Sequence, residues 1–191
     1  MTYSTTEFYP NQDRDLLQQF EYLPGFLEIL QLRQVHALEH ATVWVLSERQ
    51  GQRDDETLSG LSLPEGFFLY GAVQPGALHQ AAQQALRRLQ QGEWELAVHP
   101  RCGTNLSVRL LVGAGCALGS AVLLPKDPFS QLFSAGLATA ATAMLAPELG
   151  RWAQRYLTTA IPFNLVIADI SATVDLWGQP AHFVRAQWQT A

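Results

Sequence analysis

Five side chains in two short segments have the types and spacing to hold a divalent metal: His36, Glu39 and His40 in HALEH, and His99 and Cys102 in HPRCGTN. On a helix, residues four apart share one face one turn apart, so His36 and His40 can grip a single ion from the same side. Imidazole nitrogen and cysteine sulfur are both zinc ligands, and a catalytic zinc takes three protein ligands and keeps one position open. Cys102 is the first choice for the third ligand and His99 the second. HALEH has the inverted H-x-x-E-H order of zinc hydrolases, which makes Glu39 the candidate general base. Arg101 suits an anionic or carbonyl substrate group, or else a lipid phosphate. The competing reading keeps the histidines as ordinary polar residues of an amphipathic helix, with Glu39 a solvated charge. Glu93 and Glu95 are the remaining ligand candidates. His79, in a Gln/Arg-rich stretch, reads as solvated, His182 as structural and Cys116 as a small packing residue.

These residues need elements to position them. From Asp15 to about Gln50 the apolar residues recur at helical spacing, broken at Pro24-Gly25, which predicts a short helix and then a longer one carrying HALEH. After a polar turn over Gly51–Glu56, GFFLYGAV (Gly66–Val73) reads as a strand and Gly76–Gly92 as a helix with Gly92 at its C-terminal cap. EWELAVHP (Glu93–Pro100) then alternates like a second strand, with Glu93 and Glu95 on one face, giving a βαβ-like unit. That order sets HPRCGTN where a strand ends and a loop begins, with Thr104 and Asn105 able to cap a following helix.

Composition then changes. No charge occurs between Arg109 and Lys126 or between Asp127 and Glu148, and the turn Pro125-Lys126-Asp127-Pro128 separates two apolar segments rich in Gly and Ala. The second is long enough to span a bilayer, and the first becomes so if it starts near Leu106 with Arg109 snorkelling. Gly115 and Gly119 have the small-xxx-small spacing that brings membrane helices close. A membrane-inserted helical hairpin is the reading taken, with a buried hairpin in a water-soluble core as the alternative. Arg101, Arg109, Arg151 and Arg155 flank the hairpin, so the positive-inside rule puts the soluble part on the cytoplasmic side. Beyond it, LGRWAQRYLTTAIP reads as an interfacial helix with Trp152 and Tyr156 at headgroup level, and Asn164–Trp177 as a strand returning to the N-terminal sheet.

The fold class expected is α+β, a small sheet with packed helices plus the apolar hairpin. Its parts are 1–105 with the metal site, 106–148 as the hairpin, and 149–191 packing back on the first. A net charge of -5 with no basic stripe argues against nucleic acid as a partner. Two cysteines in unlike settings are no disulfide framework, and the polar start, Met1–Asp15, has no signal-peptide character. The partners expected are membrane lipid and other membrane proteins met through the hairpin, and the substrate is a small molecule or peptide of unknown identity.

HALEH (His36–His40), HPRCGT (His99–Thr104) and the RYLTTAIP stretch after the hairpin together resemble the YqhQ-like bacterial membrane proteins, and a related uncharacterised family. The resemblance covers roughly residues 33–169. It implies a metal site and a membrane location, and it carries no reaction with it. Two departures are Ala37-Leu38 where that family has Gly-Ala, and Ala41 where it has a lysine.

Overall fold

A computed structural model of the chain describes residues 10–123 and 127–189. The turn residues Pro125 and Lys126, and most of the polar start at 1–9, lie outside the described residues. The chain divides into two compact units, Met1–Val98 with Thr159–Ala191, and His99–Thr158. Among the described residues the architecture is α+β, with five helices and one four-stranded antiparallel sheet.

In the first unit, α1 (Pro10–Phe20) and α2 (Phe26–Arg49) are separated by the expected break at Pro24-Gly25. The C-terminal half of α2 is buried on most of its circumference, with Glu39, His40, Thr42 and Ser47 buried among its apolar residues. It packs on α3 (Pro75–Gln90), on the strands β1 (Ser59–Leu63) and β2 (Gly66–Tyr70), and on a 3-10 turn at Trp94–Ala97. The returning chain supplies β3 (Leu165–Val174) and β4 (Pro180–Trp188), and the sheet order is β1-β2-β4-β3. Phe67 and Leu69 of β2 and Val184 and Ala186 of β4 enter the core with Leu38, Val45, Leu58, Leu78, Leu89 and Leu165.

Two expectations need correction here. Every pairing in the sheet is antiparallel, so there is no βαβ-like unit. Nor do Glu93–Pro100 form a strand. Gly92 has φ 104, a left-handed conformation that ends α3, and the Glu93 N–H bonds back to the Arg88 carbonyl (3.0 Å). The Glu93 carboxylate is held by Arg88 at 2.7 Å, so the segment is tied to its own helix and closes as a 3-10 turn through Leu96 N–H to Glu93 O and Val98 N–H to Glu95 O. Local bonds overrode the two-residue alternation.

In the second unit, α4 (Gly103–Leu123) and α5 (Pro128–Ala153) form the expected helical hairpin, and a π-helical turn, Gln154–Thr158, continues α5. The Asp127 carboxylate caps α5 by accepting the Ser130 N–H at 2.9 Å, with Pro128 in the first turn. Among the described residues one helix, Pro128–Thr158, is long and apolar enough to cross a membrane; it has 31 residues, and its most apolar 18-residue stretch has a mean hydropathy of 1.3. At 1.5 Å per residue it is about 46 Å long, against roughly 30 Å of bilayer hydrocarbon. Its hydroxyls bond inward, Thr139 to the Ala135 carbonyl (2.8 Å) and Thr142 to the Ala138 carbonyl (2.7 Å), so these groups need no water. The stretch read as a separate interfacial helix is instead the end of α5 and its π turn, with Trp152 and Tyr156 exposed and 5.6 Å apart between ring centroids.

Candidate metal centre

The histidine pair is built by α2 alone. His36 and His40 lie one turn apart with their rings edge to face, centroids 4.3 Å apart and planes at 60°, and a ligand nitrogen of each lies within 4.8 Å of the other. The backbone of the 3-10 turn orients the second ring: the Ala97 carbonyl lies 2.7 Å from His40 Nδ1 and can only accept. Nδ1 therefore carries the proton and Nε2 keeps its lone pair, which is the tautomer a metal ligand needs and the usual way a neighbouring carbonyl fixes it. One turn on, Trp44 Nε1 donates to the Val98 carbonyl at 3.0 Å, so two consecutive carbonyls are pinned to α2 just before HPRCGTN begins.

Glu39 points from the same turn toward β1. It is 7% exposed, and Ser62 Oγ donates to its Oε2 at 2.5 Å. Gly60 makes the approach possible, because a Cβ there would collide with the Glu39 carboxyl. Burial pushes the carboxyl above the usual carboxylate range, and the Ser62 hydrogen bond and the His36 charge pull it partway back. Beside the His36 ring, this carboxyl holds a proton more readily than an exposed glutamate does.

The second unit holds the other candidates. Cys102 is buried and stands directly before the first residue of α4, where its carbonyl accepts the Asn105 N–H (2.9 Å) and its Sγ accepts the Thr104 N–H (3.4 Å). A helix N-terminus with an amide aimed at sulfur favours the thiolate, the form that ligates metals. Thr104 and Asn105 thus lie inside the helix, and Cys102 holds the capping position expected of them. His99 is buried, with Nδ1 accepting the Arg101 N–H (3.3 Å) and its own N–H given to Gln154 Oε1 (2.8 Å). The Arg101 side chain is exposed. Among the lesser candidates, Glu93 is engaged by Arg88, Glu95 is exposed, and His79 bonds Gln83 one turn along α3.

The family model described as "Domain of unknown function (DUF6391)" matches residues 31–170, from just before HALEH to the middle of β3. The chain belongs to the DUF6391 family. It is also 49% identical over 187 residues to an uncharacterized protein of Picosynechococcus sp. (strain ATCC 27264 / PCC 7002 / PR-6), covering 95% of this chain and 91% of that protein. No solved structure matches the chain.

Within the DUF6391 region, several residues that shape these sites gave no signal in the sequence. Ser62 and Gly60 hold and admit Glu39 from a strand of weak strand formers, SGLSL. Asn105 and Gln154 tie the HPRCGTN loop: Asn105 Nδ2 donates to the carbonyls of His99 (3.2 Å) and Pro100 (2.8 Å), while its Oδ1 accepts from Gln154 Nε2 (2.8 Å). Gln154 has no exposed surface, and only the mixed Gln/Arg character of its neighbourhood could have marked it.

Proposed function

We propose that this DUF6391 protein is a membrane-anchored, zinc-dependent hydrolase in which His36 and His40 of HALEH and Cys102 of HPRCGTN would hold the metal. The observation that carries the reading is the His40 ring, whose Nδ1 proton is fixed on the Ala97 carbonyl so that Nε2 is left as a ligand. Cys102 is preferred to His99 as third ligand because its sulfur sits at a helix N-terminus, whereas His99 Nδ1 is already used by the Arg101 amide.

A zinc ion bound there would supply Lewis acidity and lower the pKa of water. Glu39 would accept the proton from the attacking water, its position fixed by Ser62. Arg101 would attract an anionic or carbonyl group to the site. The hairpin would anchor the chain, with the arginine-flanked side cytoplasmic. The resemblance of HALEH and HPRCGT to the YqhQ-like membrane proteins supports the same pairing of metal and membrane.

A second reading is a non-catalytic membrane assembly factor with a structural metal or none, and the apolar residues exposed along the hairpin, such as Leu118, Val122 and Phe133, favour it. Purified full-length protein separates the two. Under the hydrolase reading it carries about one zinc per chain, and Glu39→Gln retains the zinc while ester or amide turnover disappears. Zinc with no turnover in the wild type supports the assembly role, and wild-type protein that binds no metal contradicts the hydrolase.

A further inference from the structure

The face of α2 that carries the histidines continues toward the helix N-terminus as an exposed apolar strip. Ile29 is 59% exposed and Leu32 36% exposed, and they lie seven and four residues before His36, which puts all three on one side of the helix. From Ile29 to His36 the strip is about 10 Å long. Arg33 would otherwise place a cation beside it, but its guanidinium is drawn off to Asp13 (3.3 Å) and the Thr159 carbonyl (2.9 Å). Glu28 borders the strip one turn before Leu32, and Glu39 lies in the same turn as His40. The Glu28 carboxylate beside the lane, with the Arg33 cation drawn off to Asp13, disfavours an anionic ligand and leaves a neutral one.

We infer that the substrate is a neutral acyl ester or amide whose hydrocarbon chain lies along Ile29 and Leu32 and whose carbonyl reaches His36 and His40. This rests on the metal reading above and adds the substrate class to it. Continuity carries the argument: Ile29 and Leu32 lead along one helix face to His36, so an apolar group lying on them brings its polar end to the histidine pair. A lipid-borne acyl chain fits a lane of this length and lack of charge, and a chain carrying a membrane-crossing helix meets such molecules in its own bilayer.

The test uses zinc-loaded full-length protein in amphipol and two probes that share a metal-binding head, acetohydroxamate and octanohydroxamate. The longer probe is expected to bind at least about tenfold more tightly, since each buried methylene adds several-fold in affinity. In the double variant Ile29→Asn/Leu32→Asn, the preference should fall to within about twofold while acetohydroxamate binds as before. Because both side chains are exposed, the variant should keep its fold, checked by circular dichroism. Equal binding of the two probes to the wild type overturns the acyl assignment and leaves the metal site standing. A preference that survives in the double variant also overturns it, because the chain then lies elsewhere. Tighter binding of a hydroxamate on an apolar dipeptide than of octanohydroxamate assigns the lane to a peptide and overturns it likewise. Protein that takes up no zinc overturns the metal reading and this one with it.

Discussion

The helices α2 and α5 have similar lengths, 24 and 26 residues, and apolar residues spread around both, yet they solve opposite problems. Along α2, Leu30, Val35, Leu38, Val45 and Leu46 are buried, and the exposed apolar residues gather at its N-terminal end. Along α5, the buried positions are Ser134, Ala146, Gly150 and Ala153, while Phe129, Leu132, Phe133, Leu137, Met144 and Leu145 face outward. Large apolar groups outside and small groups inside are the arrangement the proposed membrane hairpin would need, whereas the buried part of α2 is covered by its own unit. Polar groups do not follow that division: Thr42 and Ser47 of α2 bond to their own helix as Thr139 and Thr142 of α5 do, and long-range pairs occur in both units, Tyr70 with Asp175 in one and Asn105 with Gln154 in the other.

Substitutions that remove the same kind of group from each unit should break or sharpen this contrast. Phe67→Ala empties a fully buried site in the α+β unit and should cost about 3 to 5 kcal/mol, whereas Phe133→Ala, at a position 64% exposed, should cost under about 1 kcal/mol. Denaturant unfolding of both variants in one mild detergent checks this, and equal costs would mean that the two units bury their apolar groups alike. Next in size is a charge in the hairpin. Leu137→Asp, near the middle of α5, should oppose membrane insertion by about 2.5 to 3.5 kcal/mol and shift protein out of the carbonate-resistant membrane fraction. An unchanged membrane fraction would mean that Leu137 does not face lipid.

The smallest effect concerns Tyr70, whose hydroxyl donates to Asp175 Oδ2 at 2.9 Å. Burial, then the hydrogen bond and charge of Asp175, push its pKa from 10.0 up to about 12. A proton held more tightly in the folded state stabilises it fully below pH 10, and that contribution is lost as pH rises through 12. Carbon-13 NMR titration of labelled tyrosines should find this late-titrating ring, and Asp175→Asn should bring it back toward 10. A Tyr70 that titrates normally in the wild type would mean the long-range pairing is not formed in solution.

How far the sequence carried depended on how local the cause of each feature is. The long HALEH helix, its break at Pro24-Gly25, and the apolar hairpin are encoded by spacing and composition within one segment, and were legible within a few residues. β1 and β4 were not foreseen. Ser59–Leu63 contains glycine and two serines, and Pro180–Trp188 mixes arginine, histidine and glutamine with its inward residues, so both are strands because of the neighbours they pair with. Glu93–Ala97 misled for the converse reason, since an alternating pattern was outweighed by the Arg88 ion pair and the left-handed Gly92. At the candidate site, the one-face placement of His36 and His40 followed from their spacing alone. The holding of Glu39 by Ser62, 23 residues away, depends on tertiary contact and left no trace in the motif.

X-ray absorption at the zinc edge of purified full-length protein reads the ligand atoms directly and bears most closely on the metal centre. Two nitrogen ligands at about 2.0 Å from imidazole and one sulfur at about 2.3 Å are expected, the sulfur shell vanishing in Cys102→Ser and one imidazole shell in His40→Ala. A zinc shell made only of oxygen and nitrogen in the wild type, or spectra unchanged by both substitutions, would contradict a centre built from His36, His40 and Cys102.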